Sequence, residues 1–252
     1  MIIGLTIPSY ERFEVNGARV VAAAPCSAGI RGVLENEGLY EFAARQPDAV
    51  PLVGRAPVFA VNLPGGCGRA VIRHNMRGGW MAKVSKDLFV LPTRGFRELV
   101  ASLRLRASGV STPEVLAYVS YPKNLVLRRS DVATREIPNG HDLSVALMKV
   151  TDRDHRTMVL EAVVKLLRAL TGAGAYHQDL NLKNVLLTAG NGPGLDAHVL
   201  DVDRVRFSSP GSPLVAKANL DRLIRSLRKW RDNEGLPYTG EDEEYLRLKS
   251  VE

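Results

Sequence analysis

Tyr176-His177-Gln178-Asp179-Leu180-Asn181-Leu182-Lys183-Asn184-Val185-Leu186-Leu187 is the stretch on which the reading of this chain turns. It sets a carboxylate at Asp179 and an amide at Asn184, with four residues between them. Seventeen residues past Asn184, after Val199-Leu200, comes a second acidic cluster, Asp201-Val202-Asp203. Phosphoryl transfer needs one carboxylate to accept or orient a hydroxyl proton. It also needs an amide and a later carboxylate to hold the magnesium that rides on nucleotide phosphates. Val185-Leu186-Leu187 and His198-Val199-Leu200 read as short strands joined by a glycine-rich turn over 188–194, which would bring Asn184 and Asp201 together.

The spacing His177-x-Asp179, then Asn184, then Asp201 is similar to the catalytic loop and metal-binding element of kinases. That expectation directs attention to the other parts such an enzyme needs. A chain of 252 residues is long enough for one two-lobed domain. Apolar residues make up 45% and charged residues 24%, an ordinary globular composition. The net charge of +7 favours an anionic partner, such as a nucleotide, nucleic acid, membrane surface or acidic sugar, or else marks a merely basic surface. Cys26 and Cys67 are the only cysteines, too few for a disulfide framework or a zinc site, which fits a reducing cytoplasm. Cys67 is expected to be a simple turn residue. Met1 to Pro8 reads as a first strand and not as a signal peptide, and no run reaches the roughly twenty apolar residues of a membrane span.

In chain order, residues 1–48 read as an N-terminal extension packed on the small lobe. They hold a hairpin at Phe13 to Ala22, turning at Asn16-Gly17, and helical spacing from Ile30 to Arg45. Residues 49–137 read as the small lobe and 138–252 as the large one. Three strands are expected at 50–53, 58–63 and 69–74. Gly54 stands where a phosphate-approaching turn belongs, although there is no G-x-G-x-x-G and a plain β-meander reads as well. The third strand should carry a cation for the α- and β-phosphates. Arg73 is in that place, where lysine is usual, and a guanidinium can grip phosphate with two donors. Arg94 to Leu105 is an amphipathic helix with Phe96, Leu99, Val100 and Leu103 on one face. Glu98 is its only acid and the expected partner of Arg73; a solvated surface glutamate is the alternative. Three further strands are expected at 113–119, 124–129 and 131–137. The Pro138-Asn139-Gly140 break marks a hinge at which the backbone of Glu136 and Ile137 would meet adenine. Helices follow at 143–150, 154–172 and about 214–230. The last has a basic face, Arg222, Arg225, Arg228 and Lys229, that is solvated or docks on anionic lipid.

Four pieces together resemble the lipopolysaccharide kinase (Kdo/WaaP) family. They are Arg73-His74-Asn75-Met76-Arg77-Gly78-Gly79; Thr93-Arg94-Gly95-Phe96-Arg97-Glu98 with Gly109-Val110-Ser111-Thr112-Pro113-Glu114-Val115; His177 to Asn184; and Asp201-Val202-Asp203-Arg204, where the family has D-F-D-R in place of D-F-G. The resemblance runs from about residue 50 to 207 and implies an α+β, protein-kinase-like two-lobed fold. It implies ATP and Mg2+ as cofactors, and phosphorylation of a sugar hydroxyl, on Kdo or heptose, in the lipopolysaccharide inner core. It assigns Asp179 as base or orienting group, Asn184 and Asp201 to magnesium, Arg73 to phosphate with Glu98 paired to it, and His177 as a brace of the loop. Lys183 is expected at the γ-phosphate, and Asp203 with Arg204 beside the metal. The implied partner is a lipid-linked sugar, with peripheral contact at an anionic membrane on the cytoplasmic face of the inner membrane and no nucleic acid. A kinase of a protein or a small soluble molecule would share the same catalytic residues, and a pseudokinase binding module is the third alternative.

Overall fold

The structure, a computed structural model, describes residues 9–52, 57–74, 94–123, 128–190 and 192–250. The expected first strand at 1–8, Gly54, Arg77-Gly78-Gly79, Thr93 and the strand segment 124–127 lie outside the described residues. The chain divides into two compact units, 1–100 with 114–136 and 101–113 with 137–252.

The first unit is built on one antiparallel sheet of seven strands. These are β1 (Tyr10–Val15), β2 (Ala18–Ala23), β3 (Val50–Leu52), β4 (Val58–Leu63), β5 (Gly68–His74), β6 (Val115–Pro122) and β7 (Arg128–Arg135). They lie in the order β1-β2-β6-β7-β5-β4-β3. Asn16 and Gly17 both take positive φ, 49° and 77°, the two-residue turn that matches the strand twist, and Val15 pairs with Ala18. Residues 10–23 thus contribute two strands to the sheet itself, and β2 pairs with β6. The helices α1 (Ser27–Leu34) and α2 (Leu39–Arg45) follow, where one helical stretch is expected from 30 to 45. Ile30, Leu34, Leu39 and Ala43 join Val20, Leu63, Ile72 and Val119 in one buried cluster.

Three expectations are corrected here. Cys26 and Cys67 are joined in a disulfide, with Cα atoms 5.1 Å apart. Cys67 is therefore not merely a turn residue, neither thiol is free, and the two cysteines no longer argue for a reducing compartment. The bridge ties the start of α1 to the β4–β5 turn, which are 41 residues apart in sequence. Among the described residues, 128–129 and 131–135, expected in separate strands, run on as the one strand β7. Ser130, which falls between the two expected strands, and Asp131, which starts the second, are both fully buried inside it. On the helix α3 (Arg94–Ala107), Val100 is 41% exposed, while the buried face runs through Glu98, Leu99, Ala101, Ser102 and Leu105.

The second unit is mainly helical. It holds α4 (Leu143–Met148), α5 (Arg153–Gly172), α6 (Pro213–Glu234) and α7 (Gly240–Lys249). The apolar stripe of α5, from Val159 to Leu170, lies at the centre of the core with Leu220, Leu223, Ile224 and Leu227 of α6. Asp142 starts α4 by accepting from the Ser144 and Val145 N–H groups, and Thr239 caps α7 in a reciprocal box with Asp242. Two small sheets complete the unit: β8 (His141–Asp142), β10 (Val185–Ala189) and β11 (Leu195–Val199) in one, and β9 (Ala175–His177) with β12 (Val205–Phe207) in the other. The β10–β11 pair matches the expectation, since Val185 faces Val199. No helix among the described residues is long and apolar enough to cross a membrane.

Candidate active site

The loop 177–184 is held at its start by a side chain far along the chain. Asn219 of α6 is fully buried; its Oδ1 accepts from the His177 N–H at 3.0 Å and its Nδ2 donates to the Ala175 carbonyl at 2.8 Å. At Gly174, just before β9, a Cβ would come within 2.4 Å of the Ser208 carbonyl, so only glycine lets β9 approach the segment after β12. His177 is itself fully buried. Its Nε2 lies 2.9 Å from the Leu200 carbonyl, and its Nδ1 lies 3.1 Å from the Asp179 N–H. The first contact needs a proton on Nε2 and the second needs none on Nδ1, so the ring is the neutral tautomer. Burial pushes its pKa below the ordinary 6.5, against the Leu200 carbonyl and the carboxylates of Asp201, Asp179 and Asp203, which pull it up. Through these two bonds His177 joins the loop to the segment before Asp201.

Inside the loop, Asn181 and Asn184 both donate to the Asp179 carbonyl, at 3.0 and 2.7 Å. The Leu200 N–H donates to the Asn184 carbonyl at 2.9 Å, which sets Asn184 beside the residue that precedes Asp201. Asp201 stands in the left-handed region with φ 54° and opens the 3-10 turn Val202–Arg204 without capping it through its side chain. Such a conformation is uncommon outside glycine and recurs at sites of function. The Asn184–Asp179 and Leu200–Asn184 bonds thus link Asp179, Asn184 and the residue before Asp201.

The donor set fits magnesium. The Asn184 Nδ2 donates to the Asp179 carbonyl, which leaves the amide oxygen as the side chain's acceptor atom, and oxygen is what a hard cation takes. Among the described residues no group of three or more His, Cys, Asp or Glu side chains forms a metal site. Magnesium is commonly held by one or two protein groups together with substrate phosphates, so an amide and a carboxylate suffice.

Lys183 is placed on Asp142. Its Nζ lies 3.0 Å from Oδ2 and 4.9 Å from the centre of the Trp230 ring. Burial alone would raise the Asp142 pKa; hydrogen bonds from Ser144, Lys183 and the Val145 N–H outweigh it and hold the carboxyl below its ordinary value. The ammonium expected at a γ-phosphate is therefore paired inside its own unit.

In the first unit, Arg73 on β5 and Glu98 on α3 form an ion pair through Nη2 and Oε1. Glu98 is 5% exposed, so the alternative of a solvated glutamate is excluded. At the expected hinge, the Glu136 N–H donates to the Arg69 carbonyl at 3.1 Å, and its carboxylate pairs with the Arg69 Nε. That donor is withdrawn from adenine recognition. Ile137 follows, and Asn139 turns at φ 56°.

Two features escaped the sequence reading. Asn219 left a faint signal, a short polar residue directly before the apolar stripe of α6. The second is a polar knot behind Arg73. There the buried Asp131 pairs with His74 through Nδ1 and accepts from the Tyr40 N–H at 3.1 Å, while Tyr121 Oη accepts from the Leu39 N–H at 2.9 Å. Burial first, and then the Asp131 charge, push the pKa of the Tyr121 hydroxyl upward. The polar pair Ser130-Asp131 directly before Val132-Ala133 was its signal.

Several known proteins are similar to this chain. A protein of Stenotrophomonas maltophilia (strain R551-3) described as 3-deoxy-D-manno-octulosonic acid kinase is 30% identical over 200 residues, 78% of this chain and 75% of that one. One of Xanthomonas oryzae pv. oryzae (strain PXO99A) with the same description is 31% identical over 206 residues, 77% and 74% of the two chains. A Vibrio parahaemolyticus protein, again so described, is 29% identical over 64% of this chain, which spans 65% of that protein's length. A solved structure described as WaaP in complex with acyl carrier protein superposes with a TM-score of 0.60 at 17% identity, covering 92% of this chain and 88% of that one. At that identity the likeness shows the fold, which is the α+β, kinase-like one expected. Residues 60–246 match the lipopolysaccharide kinase (Kdo/WaaP) family, and the chain belongs to that family of phosphotransferases.

Proposed function

We propose that the protein transfers the γ-phosphoryl group of ATP to a hydroxyl of a sugar acid, 3-deoxy-D-manno-octulosonic acid or else a heptose, in the lipopolysaccharide inner core. The observation that carries this reading is the loop in which His177 and the Leu200–Asn184 bond draw Asp179, Asn184 and Asp201 together. The relatives' descriptions supply the acceptor.

Asp179 takes or orients the proton of the attacking hydroxyl. Asn184 and Asp201 hold magnesium, which when bound neutralises charge on the phosphates. Arg73 binds phosphate and is fixed by Glu98. Asn219 and His177 act as positioning residues, keeping Asp179 at the required place. The acceptor is lipid-linked, so the enzyme works at the cytoplasmic face of the inner membrane, where its +7 charge favours an anionic surface.

Transfer of labelled γ-phosphate to purified lipid A carrying Kdo, with magnesium, tests the reading against a protein extract and an aminoglycoside panel. Label in the sugar, lost by about a hundredfold or more in Asp179→Ala, is the expected result. Label in protein or aminoglycoside, or equal transfer by wild type and Asp179→Ala, would overturn it.

A further inference from the structure

Arg73 lies one residue from the end of β5, opposite Val58 of β4 on one side and Val132 of β7 on the other. Val58 is the first residue of β4, so one strand begins and another ends at this arginine. The ends of strands and helices are where local opening costs least. An arginine that must meet phosphate at a fixed place needs that end held.

A continuous set of side-chain contacts holds it. His74, the last residue of β5, pairs through Nδ1 with the carboxylate of Asp131, which lies opposite it on β7. The other oxygen of Asp131 accepts from the Tyr40 N–H of α2 at 3.1 Å. The Tyr40 hydroxyl in turn donates to the carbonyl of Pro57, the residue before β4, at 3.0 Å. Between these two bonds the Tyr40 ring tilts against Phe59 of β4 and His74 of β5, with centres 5.5 and 5.7 Å away. Burial first, and then the charges of Asp131 and Glu41, raise the pKa of the Tyr40 hydroxyl above its ordinary 10.0, so it stays a donor. Successive side chains of a strand point to opposite faces. Arg73 reaches Glu98 of α3, while His74 turns to the face on which Tyr40 lies. Glu98 fixes the guanidinium, and Tyr40 fixes, from the other side of the sheet, the strands from which it springs.

We infer that Tyr40 is a positioning residue for nucleotide binding, its hydroxyl holding the start of β4 and its N–H, through Asp131, the end of β5, so that Arg73 is presented to phosphate. The inference rests on the proposed phosphate role of Arg73.

Calorimetric titration of wild type, Tyr40→Phe, Asp131→Asn and Arg73→Met with ADP in magnesium, and with adenosine, tests this. Adenosine has no phosphate, so its affinity does not report on Arg73. Tyr40→Phe keeps the ring and loses one hydrogen bond, which predicts ADP bound about 3- to 10-fold more weakly and adenosine bound as before. Asp131→Asn keeps an acceptor for the Tyr40 N–H but loses the charge that pairs with His74, and shifts ADP in the same direction. Tyr40→Phe decides alone should Asp131→Asn not fold. A merely structural tyrosine would move both ligands or neither. ADP affinity unmoved in Tyr40→Phe, or an equal loss on ADP and adenosine, therefore overturns the inference, and weakened ADP binding in Arg73→Met leaves the phosphate reading standing. No ADP binding by wild type, or ADP bound by Arg73→Met as tightly as by wild type, overturns both.

Discussion

Replacing Arg73 by methionine should destabilise the first unit and abolish nucleotide binding, and the two effects can be separated. Glu98 is 5% exposed and its carboxylate faces the Arg73 guanidinium. Removing the cation leaves a charge stranded in the interior, which costs about 3–5 kcal/mol. At about 2–4 °C per kcal/mol for a chain of this size, the melting midpoint should fall by roughly 6–20 °C. Adding Glu98→Leu removes the stranded charge. The double variant should recover most of that loss, because a buried ion pair exchanged for well-packed apolar groups is often neutral in stability. It should not recover ATP binding, since phosphate has lost its guanidinium. Calorimetric melting with ATP titration of the wild type, both single variants and the double variant reads both quantities. An Arg73→Met protein as stable as wild type, or a double variant no better than the single one, would refute the claim that the pair is buried and mutually dependent. Full ATP affinity in the double variant would refute the phosphate role.

Asn219→Ala strips partners from the Ala175 carbonyl and the His177 N–H, at about 1–3 kcal/mol for each. Urea midpoints should show that loss, and kcat should drop while KM for ATP holds. His177 has a folded pKa below its ordinary 6.5, so below that pH the unfolded chain binds the extra proton and the folded one resists it. Stability should decline as pH falls under about 6.5, by up to about 1.4 kcal/mol per pH unit for this group. The difference in urea midpoint between pH 7.5 and 5.5 should shrink in His177→Asn; an unchanged difference would remove His177 as its source. Cys26 and Cys67 close a ring across 41 residues of separation, worth about 4 kcal/mol by chain entropy. Reductant or Cys26→Ser should lower the melting midpoint, and reductant should then have no effect on the variant.

The candidate catalytic loop was legible because its chemistry is local. Asp179 and Asn184 lie five positions apart, and the short hairpin β10–β11 delivers Asp201 from a pattern visible in the residues themselves. The Arg73–Glu98 pair was reachable for a different reason, as Glu98 is the only acid on α3. What escaped depends on contacts between distant segments. Asn219 meets His177 across 42 residues, and nothing in the composition of α6 reports that its Asn faces β9. The pairing of β9 with β12 joins three-residue strands too short to show a period. Val100 was misplaced because an apolar pattern ranks valine above glutamate for burial, and Arg73 reverses that order by giving Glu98 a counter-charge. Asp131 was misread likewise: it looks like a strand end, yet His74 and the Tyr40 N–H make it tolerable inside.

The sulfur bridge also decides how the molecule comes apart. Between residues 26 and 67 the backbone is a covalent circle, so one cut by a protease anywhere on that arc separates nothing. Nicked and intact protein would run together on a denaturing gel until a thiol is added, and only then would two fragments appear, with the strand bearing Arg73 on the C-terminal one.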